Sequence, residues 1–373
     1  MANKKLICFL AVSVTLFALL TLSVYATDTP SVSAGAAALY EPVTKQFLYS
    51  KNVNTRLPMA STTKIMTAIV AIENSDPDDI VIIADEAAGI EGSSAYLVSG
   101  EALTMEELLY ALMLRSANDA AAAIAYHISG GIEEFAAVMN EKAEELGLSD
   151  THFTNPHGLD DKAHYTTAHD LAIIAAHALE NPYLKNIVST YKKSFSSDNR
   201  TRTYVNHNKL LKLCDGAIGM KTGFTKKSGR CLVGAVERDG LTFITVTLNA
   251  PDDWRDHSTL FDLGYERLER INFANTNEYA YDVSVLDGEE QTVRVSNEEG
   301  ASIILEKGEH TVESYVKLAR FAVAPIKKGD ILGEVIFTVD GEISASVKIT
   351  AQSDVAKKDN RGFFEKLFDK FKI

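Results

Sequence analysis

The sequence predicts an α+β fold, an antiparallel sheet with segregated helices, followed by a small all-β domain. Three observations carry that reading. Strand-like segments come first and return after residue 231, with a helix-rich stretch between them. One last helical pattern closes the returning strands. Beyond Asn272 helical periodicity stops and short β segments take over.

Taken in order, residues 36–40 and 46–50 read as a strand pair joined by Glu41-Pro42-Val43-Thr44-Lys45. Pro58 precedes a strong helical stretch at 61–73. Thr104 and Glu107 form a capping box that opens a helix to about Arg115. An alanine-rich helical run occupies 119–128, and a periodic helix at 132–146 stops at Gly147. Thr167 opens another helix, which ends before Asn181-Pro182. Strands are expected at 232–236 and 242–248, then a final helix at about 258–271. In the tail, segments 279–286 and 292–295 precede a hairpin, 335–339 and 343–349, turned at Asp340-Gly341.

A chain of 373 residues is long enough for two domains. Hydrophobic content of 46% and charged content of 24% are ordinary for a soluble globular protein. The net charge of −14 argues against a nucleic-acid partner, since a phosphate backbone selects a basic surface.

The chain ends differ from the middle. Lys4 and Lys5 precede an apolar run at 6–24, and Val24-Tyr25-Ala26 offers a small-x-small cleavage site. An export signal cleaved after Ala26 is expected, with an uncleaved anchor as its rival. At the other end Phe364, Leu367, Phe368 and Phe371 share one helical face, with lysines and acids opposite. That stripe suits an amphipathic helix on a membrane surface; packing on its own protein is the alternative. The expected division is a signal at 1–26, a catalytic domain at 27–274, a β domain at 275–352, and a linker with membrane-associating helix at 353–373.

Cys214 and Cys231 flank Lys221, and the sequence leaves open whether they form a disulfide or two buried thiols. The nine histidines contain no H-E-x-x-H arrangement, so no metal and no cofactor is expected.

The chemistry rests on an ordered set: Ser61-Thr-Thr-Lys64, Ser116-Ala-Asn118 and Lys221-Thr222-Gly223. S-x-x-K also occurs at Ser189 and Ser314. Ser189 follows the helix ended at Asn181-Pro182 and Ser314 lies in the β-rich tail, so Ser61 is selected. Ser61 and Lys64 share a face one helical turn apart. A serine hydroxyl needs a base within hydrogen-bond reach. Lys64 can be that base if burial and a neighbouring cation, with Lys221 the candidate, depress its pKa. Ser116 can relay a proton, and Asn118 can hold a substrate amide or Lys64. Lys221 with Thr222 can bind a carboxylate, and Gly223 lets a backbone approach closely.

This ordered set resembles that of the penicillin-recognising serine enzymes. Leu57-Pro-Met-Ala-Ser61-Thr-Thr-Lys64-Ile-Met-Thr67, Asn155-Pro-His-Gly-Leu-Asp160, His164-Tyr-Thr-Thr-Ala168 with Asp170, and Gly219-Met-Lys221-Thr-Gly-Phe-Thr225 resemble one branch. That branch is the D-alanyl-D-alanine carboxypeptidases of serine peptidase family S11, the low-molecular-weight penicillin-binding proteins. The resemblance covers roughly residues 30–270 and extends more weakly into the β domain and terminal helix. It implies a transpeptidase/β-lactamase-like fold and a peptidoglycan stem peptide as substrate, with β-lactams as inhibitors. It further implies attachment to the outer face of the bacterial cytoplasmic membrane. By the same resemblance Ser61 is the nucleophile, Lys64 the base and Ser116 the proton donor to the leaving amine. The backbone N–H groups of Ser61 and Phe224 would form the oxyanion hole, and Arg255 would assist carboxylate binding. A class A β-lactamase is the nearest rival, but the stretch after the middle motif lacks its glutamate-x-x-leucine-asparagine pattern. A β-lactam sensor or silent wall-binding protein is the rival from a different functional class.

Overall fold

The computed structural model describes residues 30–197 and 200–359. The expected export signal and the terminal amphipathic stripe lie outside the described residues. Among the described residues no helix is long and apolar enough to cross a membrane.

The chain opens with the hairpin β1 (Ala36–Glu41) and β2 (Gln46–Lys51). Every residue of β1 is buried, as a strand covered on both faces requires. A 3-10 turn, Ala60–Thr63, runs into α1 (Lys64–Asn74), which is buried from Lys64 to Ala71. The short strands β3 (Ile80–Ile82) and β4 (Ala102–Thr104) pair and lead into α2 (Met105–Leu114). The Thr104 hydroxyl accepts the Glu107 N–H, satisfying one orphan donor of the first turn. α3 (Asn118–Ser129) and α4 (Ile132–Glu145) follow, and Gly147 turns the chain at φ +74°. α5 (Ala168–Glu180) is capped by Thr167, which accepts from Asp170.

The helix ends before Asn181-Pro182 as expected, and the same pair opens a further helix that the pattern did not indicate. This is α6 (Pro182–Ser189), with Asn181 Oδ1 accepting two backbone N–H groups and Pro182 in the first turn, where a missing N–H costs nothing. Next come the hairpin β5 (Lys192–Ser197) and β6 (Arg200–Val205), then the short helix α7 (Leu210–Leu213). Three strands follow: β7 (Ala217–Thr225), β8 (Gly229–Arg238) and β9 (Leu241–Leu248). The Lys221 motif therefore lies inside a strand. The last helix of this half, α8 (Asp253–Arg267), begins and ends earlier than expected. At Leu268 it gives way to β10 (Leu268–Ala274).

The first half is built on a five-stranded antiparallel sheet in the order β2-β1-β9-β8-β7. Strand alternation divides its side chains between two cores. Ala36, Ala38, Val233 and Val246 join the α1–α6 side, whereas Ala37, Leu39, Leu232 and Phe243 meet Leu260 and Phe261 of α8. The second half contains β11 (Ala280–Leu286), β12 (Thr292–Ser296), β13 (Ala301–Glu306), β14 (Val312–Leu318), β15 (Phe321–Val323), β16 (Ile331–Val339) and β17 (Glu342–Ala351). Six of these form a sheet ordered β14-β16-β17-β12-β11-β15, while β13 pairs with β10. Their buried side chains form a third cluster, centred on stacked Phe273 and Phe337.

Candidate active site

Ser61 sits in the 3-10 turn, and Lys64 is the first residue of α1, so one turn brings the side chains together. Lys64 Nζ lies 3.0 Å from Ser61 Oγ and 2.7 Å from Asn118 Oδ1, and donates also to the His157 carbonyl. Lys64 has no exposed surface. Burial, then the nearby charge of Lys221, holds its ammonium pKa well below the usual lysine range, against a smaller opposing pull from Asp119. A neutral amine has two N–H groups and one lone pair. Asn118 Oδ1 and the His157 carbonyl are acceptors only and take both N–H groups. The lone pair is left for the hydroxyl of Ser61.

The orientation of Asn118 is itself set. Its Nδ2 donates to the Glu91 carbonyl and its backbone N–H to the Ser93 carbonyl at 2.7 Å, which leaves Oδ1 for Lys64. Asp119, fully buried, fixes the loop that provides those carbonyls. Its carboxylate accepts from Ser94 Oγ (2.6 Å), Ala95 N (3.0 Å) and Leu97 N (3.0 Å). Ser116 lies in the turn between α2 and α3 with a left-handed backbone, φ +62°, and lines the cleft beside Ser61.

Behind the turn runs the 154–159 loop. Thr67 Oγ1 donates to the Pro156 carbonyl at 2.6 Å, and Asn155 Oδ1 accepts from Gly158 N at 2.7 Å. Gly158 has φ +86°, and a Cβ there would fall 2.0 Å from the Ala60 carbonyl oxygen. His164 accepts the Thr154 N–H at Nδ1 and donates from Nε2 to Thr63 Oγ1 at 2.7 Å; Thr63 passes its own proton to the Ala60 carbonyl. This chain of donors fixes a neutral imidazole. Burial lowers the pKa of His164 to about 4 and that of His157 to about 3.

The opposite wall is β7, an edge strand of its sheet. Lys221 is 1% exposed, donates to the Thr222 carbonyl at 2.9 Å, and is lowered to a pKa of about 7 by burial. At Gly223 a Cβ would stand 3.0 Å from Ser61 N and 3.2 Å from the Met59 carbonyl. The strand thus packs its backbone directly on the turn that carries Ser61. Phe224 is largely exposed at the cleft rim.

The cleft between these walls measures about 370 Å³ and contains Ser61, Ser116, Thr222, Gly223 and Phe224. Arg255 is not part of it. That side chain lines a separate hollow with Pro30, Ser31, Val32 and Ser33. The reason is helical phase. Asp253 faces the cleft, and two residues on, about 200° around the helix, Arg255 points away. Asp256 secures that setting by accepting from Ser33 N (2.8 Å), Ser33 Oγ (2.8 Å) and Ala34 N (3.0 Å). In its place the cleft holds Arg230, Lys209 and Trp254, none of which the motif pattern indicates. Arg230 was legible only through pairing: it is the cross-strand partner of Phe224. Cys214 and Cys231 are free thiols; Cys231 is buried, which pushes its pKa up to about 11. Among the described residues no cluster of His, Cys, Asp and Glu could hold a metal ion.

The profile of the D-alanyl-D-alanine carboxypeptidase family matches residues 23–252, and that of the penicillin-binding protein 5 C-terminal domain matches residues 269–357. D-alanyl-D-alanine carboxypeptidase DacF of Bacillus subtilis is 34% identical over 336 residues, covering 87% of this chain and 86% of its own. Among solved structures, penicillin-binding protein 5 of Haemophilus influenzae superposes with a TM-score of 0.64 at 28% identity, covering 89% of this chain and 100% of that one. PBP3 of Streptococcus pneumoniae, described as a peptidoglycan synthesis regulatory factor, gives a TM-score of 0.67 at 25% identity over 87% of this chain and 100% of its own. With the three motifs assembled around one cleft and both halves matched, the chain belongs to the D-alanyl-D-alanine carboxypeptidase family of serine hydrolases.

Proposed function

We propose that this chain removes the terminal D-alanine from peptidoglycan stem peptides through an acyl-enzyme on Ser61, and that β-lactams acylate the same serine. The observation that carries the reading is the fully buried Nζ of Lys64, 3.0 Å from Ser61 Oγ and facing two further acceptors, Asn118 Oδ1 and the His157 carbonyl. Ser61 Oγ attacks the carbonyl carbon between the two D-alanines while its proton passes to Lys64 Nζ. The oxyanion faces the backbone N–H groups of Ser61 and Phe224. On collapse the C–N bond breaks, and the proton returns from Lys64 through the Ser116 hydroxyl to the leaving amine. Water then hydrolyses the ester and restores Ser61. Lys221 and Thr222 supply attraction for the substrate carboxylate, and the open edge of β7 offers a row of backbone groups to an extended peptide.

The relatives' names support this substrate class. A dedicated β-lactamase is disfavoured because the loop behind Ser61 presents the carbonyls of Pro156 and His157, not a carboxylate. The same reading carries export after residue 26, a catalytic domain at 27–274, a β domain at 275–352, and peripheral attachment to the outer membrane face by 362–373.

Mass spectrometry of the protein with a pentapeptide ending in D-Ala-D-Ala, beside Ser61→Ala, tests the chemistry. Wild type releases D-alanine and the variant does not. Acylation by penicillin without D-alanine release makes the protein a sensor instead, and equal release by the variant removes Ser61 as nucleophile. Liposome flotation with and without residues 362–373 tests the attachment; unchanged flotation rejects it.

A further inference from the structure

The cleft is cationic on one side only. Asp253 is the one carboxylate among its described lining residues, facing Lys209 and Arg230. Arg230 Cζ stands 5.7 Å and Lys209 Nζ 5.9 Å from the centroid of the Trp254 ring, so two cations lie against one aromatic side chain. Asp253 Oδ1 accepts from Arg230 Nη2 at 2.8 Å, and Asp253 is 4% exposed while Arg230 is 42% exposed. One corner of the guanidinium is therefore anchored on a buried acid and Nε is itself buried, while the side chain as a whole keeps 42% of its surface exposed. Its Nε has no hydrogen-bond partner among the described residues.

Strand register adds direction. Thr222 pairs with Leu232 and Phe224 with Arg230, so Thr222, Phe224 and Arg230 share one face of the sheet. Thr222 and Arg230 are diagonal neighbours on that face, a separation of about 7–8 Å that an arginine side chain spans. By the same alternation Lys221 belongs to the other face, the face of Lys64.

We propose that Arg230, held by Asp253 and Trp254, is the guanidinium that receives the substrate's terminal carboxylate beside Thr222, the position that motif reading gave to Arg255. Lys221 then acts chiefly through its charge on Lys64, and Arg230 supplies the directional fork. This inference rests on the proposed carboxypeptidase reading and names the specificity residue within it.

The test uses the whole protein in four forms: wild type, Arg230→Lys, the charge-neutral pair Arg230→Gln/Asp253→Asn, and Arg255→Gln. The double variant avoids leaving Asp253 buried and unpaired. Three quantities are measured: KM and kcat for D-alanine release from a D-Ala-D-Ala peptide, the acylation rate with benzylpenicillin, and the affinity of an alkyl boronic acid. Peptide and penicillin carry a carboxylate; the boronic acid engages Ser61 without one. The double variant should raise KM and slow penicillin acylation about 10- to 100-fold, with boronic acid affinity held within about twofold. Arg230→Lys should fall between the two, and Arg255→Gln should match wild type. An unchanged KM in the double variant, an equal rise in Arg255→Gln, or a parallel loss of boronic acid binding overturns the proposal. If wild type fails to release D-alanine, the carboxypeptidase reading fails. The penicillin-to-boronic-acid comparison still decides the role of Arg230.

Discussion

Lys64 is surrounded by a hydroxyl, an amide oxygen and a backbone carbonyl, none of them charged. Its nearest noted charges are Lys221, which opposes protonation, and Asp119, which only partly offsets burial. Two lysines in one dry site cannot both keep protons easily, and Lys64, which feels both burial and its neighbour, gives its proton up first. The sign of the pH dependence follows. In the proposed mechanism activity needs Lys64 neutral, so it should fall as pH drops through the depressed pKa of that group. The same mechanism needs Lys221 charged, so kcat/KM should decline as pH rises through about 7. A bound carboxylate favours the charged form of Lys221, so the alkaline limb of kcat should lie at higher pH than that of kcat/KM. Pairing the two pH profiles checks this; coincident alkaline limbs would show that Lys221 does not sense the substrate's charge.

At the scale of elements, the Ser61 turn is positioned by two glycines on neighbouring segments. Gly223 lets β7 lie against Ser61 N, and Gly158 lets the 154–159 loop reach the Ala60 carbonyl. Gly158→Ala adds a methyl group where backbone oxygen already stands and forces a non-glycine residue into φ +86°. A loss of roughly 3 kcal/mol in unfolding free energy is expected, together with loss of Ser61 reactivity. Urea unfolding and penicillin labelling measure the two effects, and a stable, reactive variant would mean the loop can retreat. What the sequence made legible divides along the same line. Thr104 and Thr167 announce their helices because a cap is a contact within four residues. Asn181-Pro182 is legible as the stop of α5, but its second role, opening α6, shows only in the bonds from Tyr183 and Leu184 to Asn181 Oδ1. β7 hides its period: its register slips between Ala217 and Gly219, and Met220 has φ +90°. β14 is exposed along nearly its whole length and so carries no inside-outside alternation. The motif residues Ser61, Lys64, Ser116 and Asn118 are found from local pattern. Arg230 depends on pairing with β7, whose pattern is hidden, and on Asp253, 23 residues away.

Over the whole molecule, three histidines are buried in neutral form: His157 and His164 behind the nucleophile, and His257 between Thr245 and Thr247 under the sheet. Burial lowers their pKa values to about 3, about 4 and about 3 respectively. An unfolded histidine titrates near 6.5. Above that pH neither state is protonated and stability is complete. Below it the unfolded chain takes up protons that the native chain refuses, so stability falls as pH drops from about 6.5 toward about 4, by up to about 1.4 kcal/mol per pH unit for each histidine. Urea midpoints at pH 7 and pH 5 should differ accordingly, and His257→Gln should flatten the slope. Equal midpoints would mean that the native chain accommodates the protons. The two cores of the first half explain why the loss is spread: His257 guards the α8 side, while His157 and His164 sit on the α1 side.

The left-handed backbone of Ser116 sets this protein against its own stability. Glycine or asparagine accepts φ +62° more readily than serine, by about 1 kcal/mol. Neither has a hydroxyl to pass a proton. A library selected only for heat resistance should therefore enrich Ser116→Gly and Ser116→Asn and lose D-alanine release as it does so, which melting temperatures and turnover measured on the same clones would reveal. Thermostabilising this enzyme by unguided selection would erode its middle motif first.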